Sequence, residues 1–318
     1  MASIPGAVPE ASAYAASTDG CALVDRSETG KLAFVGPEAA AFLDGQVTND
    51  VRALAPGTGC YAALLTNKGK MLGDLRLLRV DDETVLLDCE RSALQSVFDV
   101  LRRAQVGWKA ELHKRTLQEA LLSLIGPGAR AVAGAADLPA EEYAHRPATI
   151  GGAQARVVAT DLGVDVLCAA GDADAVRAAL VAGGAVDVPE ATAEVVRVES
   201  GRPRYGVDLD DTVIPQEAGL NERAVSFTKG CYVGQETVAR LHYKGKPNRH
   251  LRGLRLSAPV APGTPLRLGE REVGHITSAV VSPRLGPIGL ALVRREAGPG
   301  AVLDAGDGVT AEVAELPF

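Results

Sequence analysis

The sequence predicts an α+β protein with two α+β units, in which the sheets are mainly antiparallel, followed by a C-terminal all-β unit. Three observations support this fold class. The chain has 318 residues, more than one hydrophobic core usually organises. Between residues 60 and 182, runs that alternate like strands are interspersed with runs of helical periodicity. After about residue 250, Pro and Gly separate short strands, as in a small β-barrel or sandwich.

The first α+β unit contains a short helix over residues 37–45, with Ala39, Phe42 and Leu43 on its apolar face. Two strands follow, over residues 60–65 and 71–80, and the turn residues at 67–69 predict that they form a hairpin. Residues 84–89 form a further strand and residues 93–104 a helix. Such an order of elements is typical of an antiparallel sheet covered by helices.

The second unit begins with an apolar strand over residues 120–125, which ends in Gly-Pro-Gly. Residues 154–159 and 164–169 alternate like the strands of a hairpin, and residues 174–182 have a helical pattern. Residues 194–199 are rich in valine and are predicted as a strand.

Composition argues against several classes of protein. The formal net charge is −7, and no run of about eighteen apolar residues predicts a membrane helix. Residues 1–20 lack a basic start and an apolar core, so we expect a flexible tail rather than a secretory signal, and a cytoplasmic protein. No phosphate-binding GxxxxGK loop or GxSxG elbow is present. The chain has five cysteines, which are odd in number and far apart: Cys21, Cys60, Cys89, Cys168 and Cys231. Neither a disulfide framework nor a metal site is therefore predicted.

Cys231, in the segment FTKGCYVGQETVARL, is the candidate reactive group. It follows Lys229 and precedes a predicted helix that begins at Gln235. An ammonium group and a helix N-terminus both favour a thiolate, which is the nucleophilic form of cysteine. The alternative is that Cys231 is a small buried apolar residue.

A basic stretch surrounds this motif. Residues 226–255 contain seven basic residues against one acid, Glu236, in a chain that is acidic as a whole. Such a field attracts a polyanion or a carboxylate-rich small molecule, although a solvated loop explains the same charges. The chain's acidity argues against nucleic acid as a partner, and RNA binding ranks last among the functions considered.

The motif KGCYVGQE resembles the signature of the YgfZ family of folate-binding proteins, which is related to the T-protein of the glycine cleavage system. Three further blocks resemble the same superfamily in the same order: FLDGQVTNDV, LLTNKGKMLGDLRL and RVESGRPRYGVDLDDTVIPQEAGL. The resemblance implies three domains around a central cavity. Residues 21–58 and 117–245 would form a discontinuous α+β domain, residues 59–116 a ferredoxin-like domain, and residues 246–318 a β-barrel.

The resemblance also implies a function. It indicates a tetrahydrofolate-binding protein that supports assembly or repair of iron–sulfur clusters in client enzymes, with Cys231 beside the folate cavity. An accessory protein is expected rather than a stand-alone transferase. The alternative is a tetrahydrofolate-dependent aminomethyltransferase or demethylase, in which Asp74 assists and Cys231 is structural. In the T-protein the block around Asp74 ends in two aspartates, whereas this chain has Gly73 and Asp74, so aminomethyl transfer is put in doubt.

Several side chains receive roles from the resemblance. Glu199 occupies the position of the pterin-binding glutamate, although an ion pair with Arg197 or Arg202 explains it too. Tyr205 would stack along the cavity wall or be structural, and Lys229 would bind the glutamate tail of the folate. The remaining expected folate-binding residues are Tyr232, Gln235 and Asn49.

Overall fold

Three β-sheets organise the chain in a computed structural model that describes residues 8–318. The helices are α1 (Ala11–Asp19), α2 (Ala39–Gln46), α3 (Leu94–Ala104), α4 (Ala129–Val132), α5 (Ala173–Ala182), α6 (Glu190–Glu199), α7 (Asn221–Ala224) and α8 (Gln235–Lys244). The strands are β1 (Ala22–Asp25), β2 (Gly30–Val35), β3 (Thr58–Leu65), β4 (Met71–Arg79), β5 (Thr84–Cys89), β6 (Glu111–Lys114), β7 (Glu119–Ile125), β8 (His145–Ile150), β9 (Ala153–Ala159), β10 (Gly163–Ala169), β11 (Val186–Asp187), β12 (Arg249–Leu256), β13 (Pro265–Leu268), β14 (Arg271–Ser282), β15 (Gly286–Arg294), β16 (Val302–Asp304) and β17 (Thr310–Ala314).

The five-stranded sheet has the order β3–β4–β5–β2–β6, and all its neighbouring strands are antiparallel. Alternate residues of a strand point to opposite faces. One face therefore carries apolar side chains such as Phe34, Leu75 and Leu77, which pack with Phe42 of α2 and Leu101 of α3. The other face of this sheet carries several charged side chains.

The six-stranded sheet has the order β11–β1–β7–β10–β9–β8, and only the β1–β11 pair is parallel. Its outer face packs on α4 and α5 through a second apolar core. Its inner face meets the polar face of the five-stranded sheet through Leu78, Leu121, Val158 and Leu167. The two sheets therefore enclose a region where polar side chains lie beside a small apolar cluster.

The C-terminal strands form a closed barrel in the order β12–β15–β14–β13–β16–β17. A buried polar network joins the barrel to α6. Asp208 accepts hydrogen bonds from Arg197 Nη1 at 2.8 Å, from Thr277 at 2.5 Å and from Ser278 at 2.7 Å. The predicted fold class, two α+β units with a C-terminal barrel, is confirmed.

Two local predictions were wrong. The flexible tail predicted for residues 1–20 instead contains α1, in which Ala13, Ala16 and Ser17 are buried; residues 1–7 lie outside the described residues. The small side chains of this helix allow close packing against α6 and β1 without the large apolar stripe that marks a helix in sequence.

The strand predicted over residues 194–199 is the second half of α6. Valine-rich segments favour strands locally. Here Arg197 pairs with Glu194 one helical turn away, at 2.6 Å, and the helix packs against α1 and β14. Tertiary contacts therefore override the local propensity.

The predicted boundary at residue 58 does not follow the sheets. β1 belongs to the six-stranded sheet, whereas β2, only five residues further along, belongs to the five-stranded one. The chain thus crosses between the two sheets at about residue 27. Among residues 8–318, none of the helices is long and apolar enough to span a membrane.

Candidate functional site

A cavity of about 340 Å³ lies where the polar face of the five-stranded sheet meets the six-stranded sheet and the segment after α6. Ligand sites for small molecules commonly have volumes of this order. We call it the central cavity. Its charged lining is nearly balanced between arginines and carboxylates: Arg26, Arg76, Arg91, Arg197, Arg202, Arg204, Arg223, Asp25, Glu28, Asp74, Asp88, Glu90, Glu142, Asp161, Asp165 and Glu190.

Strand β4 supplies two of these side chains because its sequence, MLGDLRLLR, alternates. Asp74 and Arg76 are two residues apart and so share the polar face, while Leu75 and Leu77 enter the core. Tyr61 of β3 lies opposite Arg76 and donates a hydrogen bond of 2.5 Å to Asp74 Oδ2. Burial raises the pKa of Asp74 and also raises the pKa of Tyr61 well above its usual range.

Arg76 bridges the two sheets. Its Nε donates to Asp88 on β5 at 2.7 Å, and its Nη1 donates to Asp165 on β10. Its Nη2 donates to no atom of residues 8–318, and the hydroxyl of Ser123, which lies opposite Asp165 on β7, is also unpartnered there. Two residues that line the cavity thus each carry a buried polar atom with free hydrogen-bonding capacity.

Arg223 forms another part of the wall. It donates to Glu142 at 2.5 Å and to the hydroxyl of Tyr143 at 3.3 Å, and its guanidinium lies 5.2 Å from the ring centre of Tyr61. The amide of Asn49 donates to the backbone carbonyls of Tyr61, at 2.8 Å, and of Arg223, at 3.3 Å. Asn49 therefore positions two residues of the wall and does not itself line the cavity.

Lys229 is buried, with 1% of its side chain exposed. Its ammonium lies 3.1 Å from Asp44 Oδ1 and donates to the carbonyls of Asp44, Val47 and Asn49. Burial lowers its pKa, and Asp44 opposes that shift. The sequence predicted that this ammonium lies beside the Cys231 sulfur. That prediction is corrected, because the ammonium is held at the end of α2.

Cys231 is an exposed free cysteine. The alternative of a buried apolar residue is thereby excluded, but Cys231 is not among the residues that line the central cavity. The cysteine that lines the cavity is Cys89, which is buried, and burial raises the pKa of its thiol. The expectation that Cys231 opens onto the cavity is corrected, because the residue is exposed and lies outside the cavity lining.

The other expected folate-binding residues also lie outside the cavity lining. Glu199 accepts hydrogen bonds from Tyr14, at 2.8 Å, and from Ser282. Tyr232 is buried in a core between the β3–β4 hairpin and the barrel, and burial raises its pKa to about 12. The hydroxyl of Tyr205 lies 3.5 Å from the carbonyl of Met71, and Gln235 contacts the carbonyl of Gly230. Of the predicted site residues, Asp74 alone lines the cavity.

Sequence reasoning missed Arg76, Ser123 and Arg223. The signal for Arg76 was present, because a second charged residue two positions after Asp74 interrupts an apolar strand on the same face. Ser123 and Arg223 gave no such signal, since their place depends on how the two sheets face each other. Among residues 8–318, we find no group of three or more His, Cys, Asp or Glu side chains arranged to hold a metal ion.

Gly234, the second glycine of the cysteine motif, fixes this segment against the β3–β4 turn. Gly234 has φ +85°, and an added Cβ would lie 2.6 Å from the carbonyl oxygen of Thr66. We therefore expect Gly234→Ala to lower the free energy of unfolding by about 1–3 kcal/mol, measured by urea denaturation. Gly230→Ala is the matched control, since its Cβ would meet open space. Equal stability of the two variants would contradict this account.

The three-unit architecture and its polar central cavity define a T-protein-like class of protein. Two family models match the chain: the GCVT N-terminal domain over residues 10–229 and the glycine cleavage T-protein C-terminal barrel domain over residues 249–318. Over 322 residues the chain is 31% identical to an aminomethyltransferase of Streptomyces avermitilis, covering 93% of this chain and 86% of the relative. The chain belongs to the glycine cleavage T-protein family.

Two further proteins are similar to this chain. A putative chloroplastic transferase of Arabidopsis thaliana is 29% identical over 94% of this chain and 72% of its own length. The crystal structure of the glycine cleavage system aminomethyltransferase T from Bartonella henselae has a TM-score of 0.85, with 24% identity over 96% of this chain and 88% of that chain. The structural likeness supports the same fold.

Proposed function

We propose that this protein binds tetrahydrofolate in the central cavity and, as a member of the YgfZ branch of its family, supports assembly or repair of iron–sulfur clusters in client proteins of the cytoplasm. The observation that carries the proposal is the combination of a T-protein fold with an exposed cysteine in the motif KGCYVGQE. Its thiol is available to a partner protein, while a separate cavity is available to a small molecule.

The central cavity suits a folate in size and chemistry. A pterin ring carries ring N–H and amino donors, and the cavity offers the carboxylate of Asp74 to accept from them. The arrangement favours Asp74 over Glu199 as the carboxylate that meets the pterin, because Glu199 is already bonded to Tyr14 and Ser282.

The glutamate tail of a folate needs cations, and the cavity lining supplies them. Arg26 and Arg204 both pair with Glu190, at 3.2 and 2.7 Å, and Arg91 is exposed and forms no ion pair with any residue of 8–318. A carboxylate ligand gains most from a guanidinium that has no partner. We therefore assign the tail to Arg91 and its neighbours rather than to the buried Lys229.

Cys231 acts at the surface. A single thiolate does not hold a stable iron–sulfur cluster alone, because such clusters are held by several cysteines. We infer that it meets the cluster or the cysteine ligands of a client protein. The clamp formed by Lys229 and the close contact of Gly234 hold this segment at both ends.

A complementation experiment tests this role. In cells that lack the protein, Cys231→Ala is expected to bind tetrahydrofolate normally but to lose most of the activity that the wild type restores to cluster-containing enzymes. Val233→Ala, on the same exposed segment, is the control and is expected to restore full activity. Full restoration by Cys231→Ala would remove the thiol from the function.

Aminomethyl transfer to tetrahydrofolate is the second candidate, and the placement of Asp74 in the central cavity favours it. A buried carboxylate with a raised pKa is suited to proton transfer. Steady-state turnover of a methylamine donor with tetrahydrofolate separates the two candidates, because the leading proposal expects no turnover by the purified protein.

A further inference from the structure

We propose that the inner end of the central cavity, at Arg76 and Ser123, binds the carboxylate of a second ligand, a small zwitterionic amino acid. The inference rests on the proposed function in one respect, since both ligands would share the cavity. It depends on three features of the described residues: two unpartnered donors, a balanced charge behind them, and a carboxylate on the same strand face.

The donors are Arg76 Nη2 and Ser123 Oγ. The two residues are 7% and 2% exposed, both line the cavity, and neither atom has a hydrogen-bond partner in residues 8–318. A buried donor without a partner is costly, whereas a charge-assisted bond to a carboxylate is strong. Asp165 brings the two donors together, because it accepts from Arg76 Nη1 and lies opposite Ser123 in the register of β7 and β10.

The charges around these donors permit an anion. Arg76 forms ion pairs with two carboxylates, those of Asp88 and Asp165. Their two negative charges are balanced by the positive charges of Arg76 and of Lys31, which lies opposite Asp88 on β2. Lys31 is 1% exposed, and its ammonium donates to the carbonyls of Ser27 and Thr29. An arriving carboxylate therefore meets no net negative charge from this group of four.

The position of Asp74 favours a zwitterionic ligand over a ligand that carries only a carboxylate. It lies two residues before Arg76 on the same face of β4, about 7 Å along the strand. Its carboxylate disfavours a ligand that is only negative and favours one with an ammonium group on that side. A small α-amino acid carries both groups at a short separation.

Ligand-observed NMR with glycine and ethanolamine tests the proposal, because ethanolamine keeps the amine and replaces the carboxylate by a hydroxyl. We expect glycine to bind at least about tenfold more tightly than ethanolamine. Ser123→Ala should weaken glycine binding about threefold or more and leave the melting temperature unchanged or higher, because the hydroxyl it removes has no partner in the fold. Ser92→Ala, whose hydroxyl bonds to the Tyr205 carbonyl outside the cavity, should change neither value.

Two further arms complete the experiment. Arg76→Lys keeps the charge but loses the fork of donors, and should weaken glycine binding about tenfold. Tetrahydrofolate and its tail fragment p-aminobenzoylglutamate are titrated in parallel.

Equal affinities for glycine and ethanolamine, or no glycine binding with or without tetrahydrofolate, would overturn the subsite. Binding of the tail fragment in place of glycine, weakened by Ser123→Ala, would overturn the amino-acid assignment. Glycine binding that is sensitive to Ser123→Ala in a protein that fails to bind tetrahydrofolate would support the subsite and refute the folate proposal.

Discussion

Lys229→Met is expected to destabilise the fold by about 3–5 kcal/mol, because it removes one partner of a buried ion pair. The variant leaves the carboxylate of Asp44, whose side chain is 11% exposed, without its cation. It also leaves the carbonyls of Val47 and Asn49 without the donor that reaches them at 3.0 and 2.7 Å. Urea denaturation of wild type and variant, followed by circular dichroism, measures the difference.

Lys244→Met is the matched control. Lys244 is exposed in the last turn of α8, where a single charge contributes little. A loss below about 1 kcal/mol for Lys229→Met would show that the clamp is not structural. Removing the Lys229 ammonium is expected to release the cysteine segment from α2. The Lys229→Met variant should therefore also fail in complementation, even at temperatures where it is folded.

Asp74→Asn is expected to weaken tetrahydrofolate binding by roughly 1.5–3 kcal/mol, the contribution of a hydrogen bond to a charged group. This corresponds to a change of about 10- to 150-fold in the dissociation constant. The substitution keeps the size of the side chain and an acceptor for the Tyr61 hydroxyl, so the fold should persist. Isothermal titration calorimetry with tetrahydrofolate gives the value.

Glu199→Gln is the comparison that locates the pterin. The amide still accepts from Tyr14 and Ser282, and because Glu199 does not line the cavity we expect the affinity to change by less than about threefold. The opposite pattern, with Glu199→Gln weakening binding and Asp74→Asn without effect, would place the pterin against the end of α6, where the family resemblance assigns it.

Much of the fold follows from local patterns. The hairpin of β3 and β4, the strand β5 and the helices α3 and α5 were predicted within two residues of their ends, because a periodicity of two or of 3.6 residues separates buried from exposed side chains. α1 was missed because its small side chains leave no large apolar stripe along the chain. The second half of α6 was predicted as a strand because its valines favour strands locally, whereas α6 packs as a helix against α1 and β14.

The site was less predictable than the fold. Asp74, which lines the cavity, was predicted from the resemblance of its block to the T-protein. Cys231 was singled out as a thiol that needs explanation, and the structure shows that it is exposed. The role of Lys229 could not be foreseen, since proximity in sequence to Cys231 says nothing about the direction of a long side chain. It extends to backbone carbonyls some 180 residues earlier in the chain.

The fold class, the family and the cysteine motif could be predicted from the sequence, because each is marked by residues that are close together in the chain. The exposure of Cys231 and the set of polar groups that share the cavity depend on the tertiary structure. Tyr61, Asp74 and Arg76 belong to one sheet and Ser123 and Asp165 to another, and they meet because two twisted sheets pack face to face. Side chains that meet across such an interface are separated by long stretches of sequence, so no local sequence pattern predicts their contact.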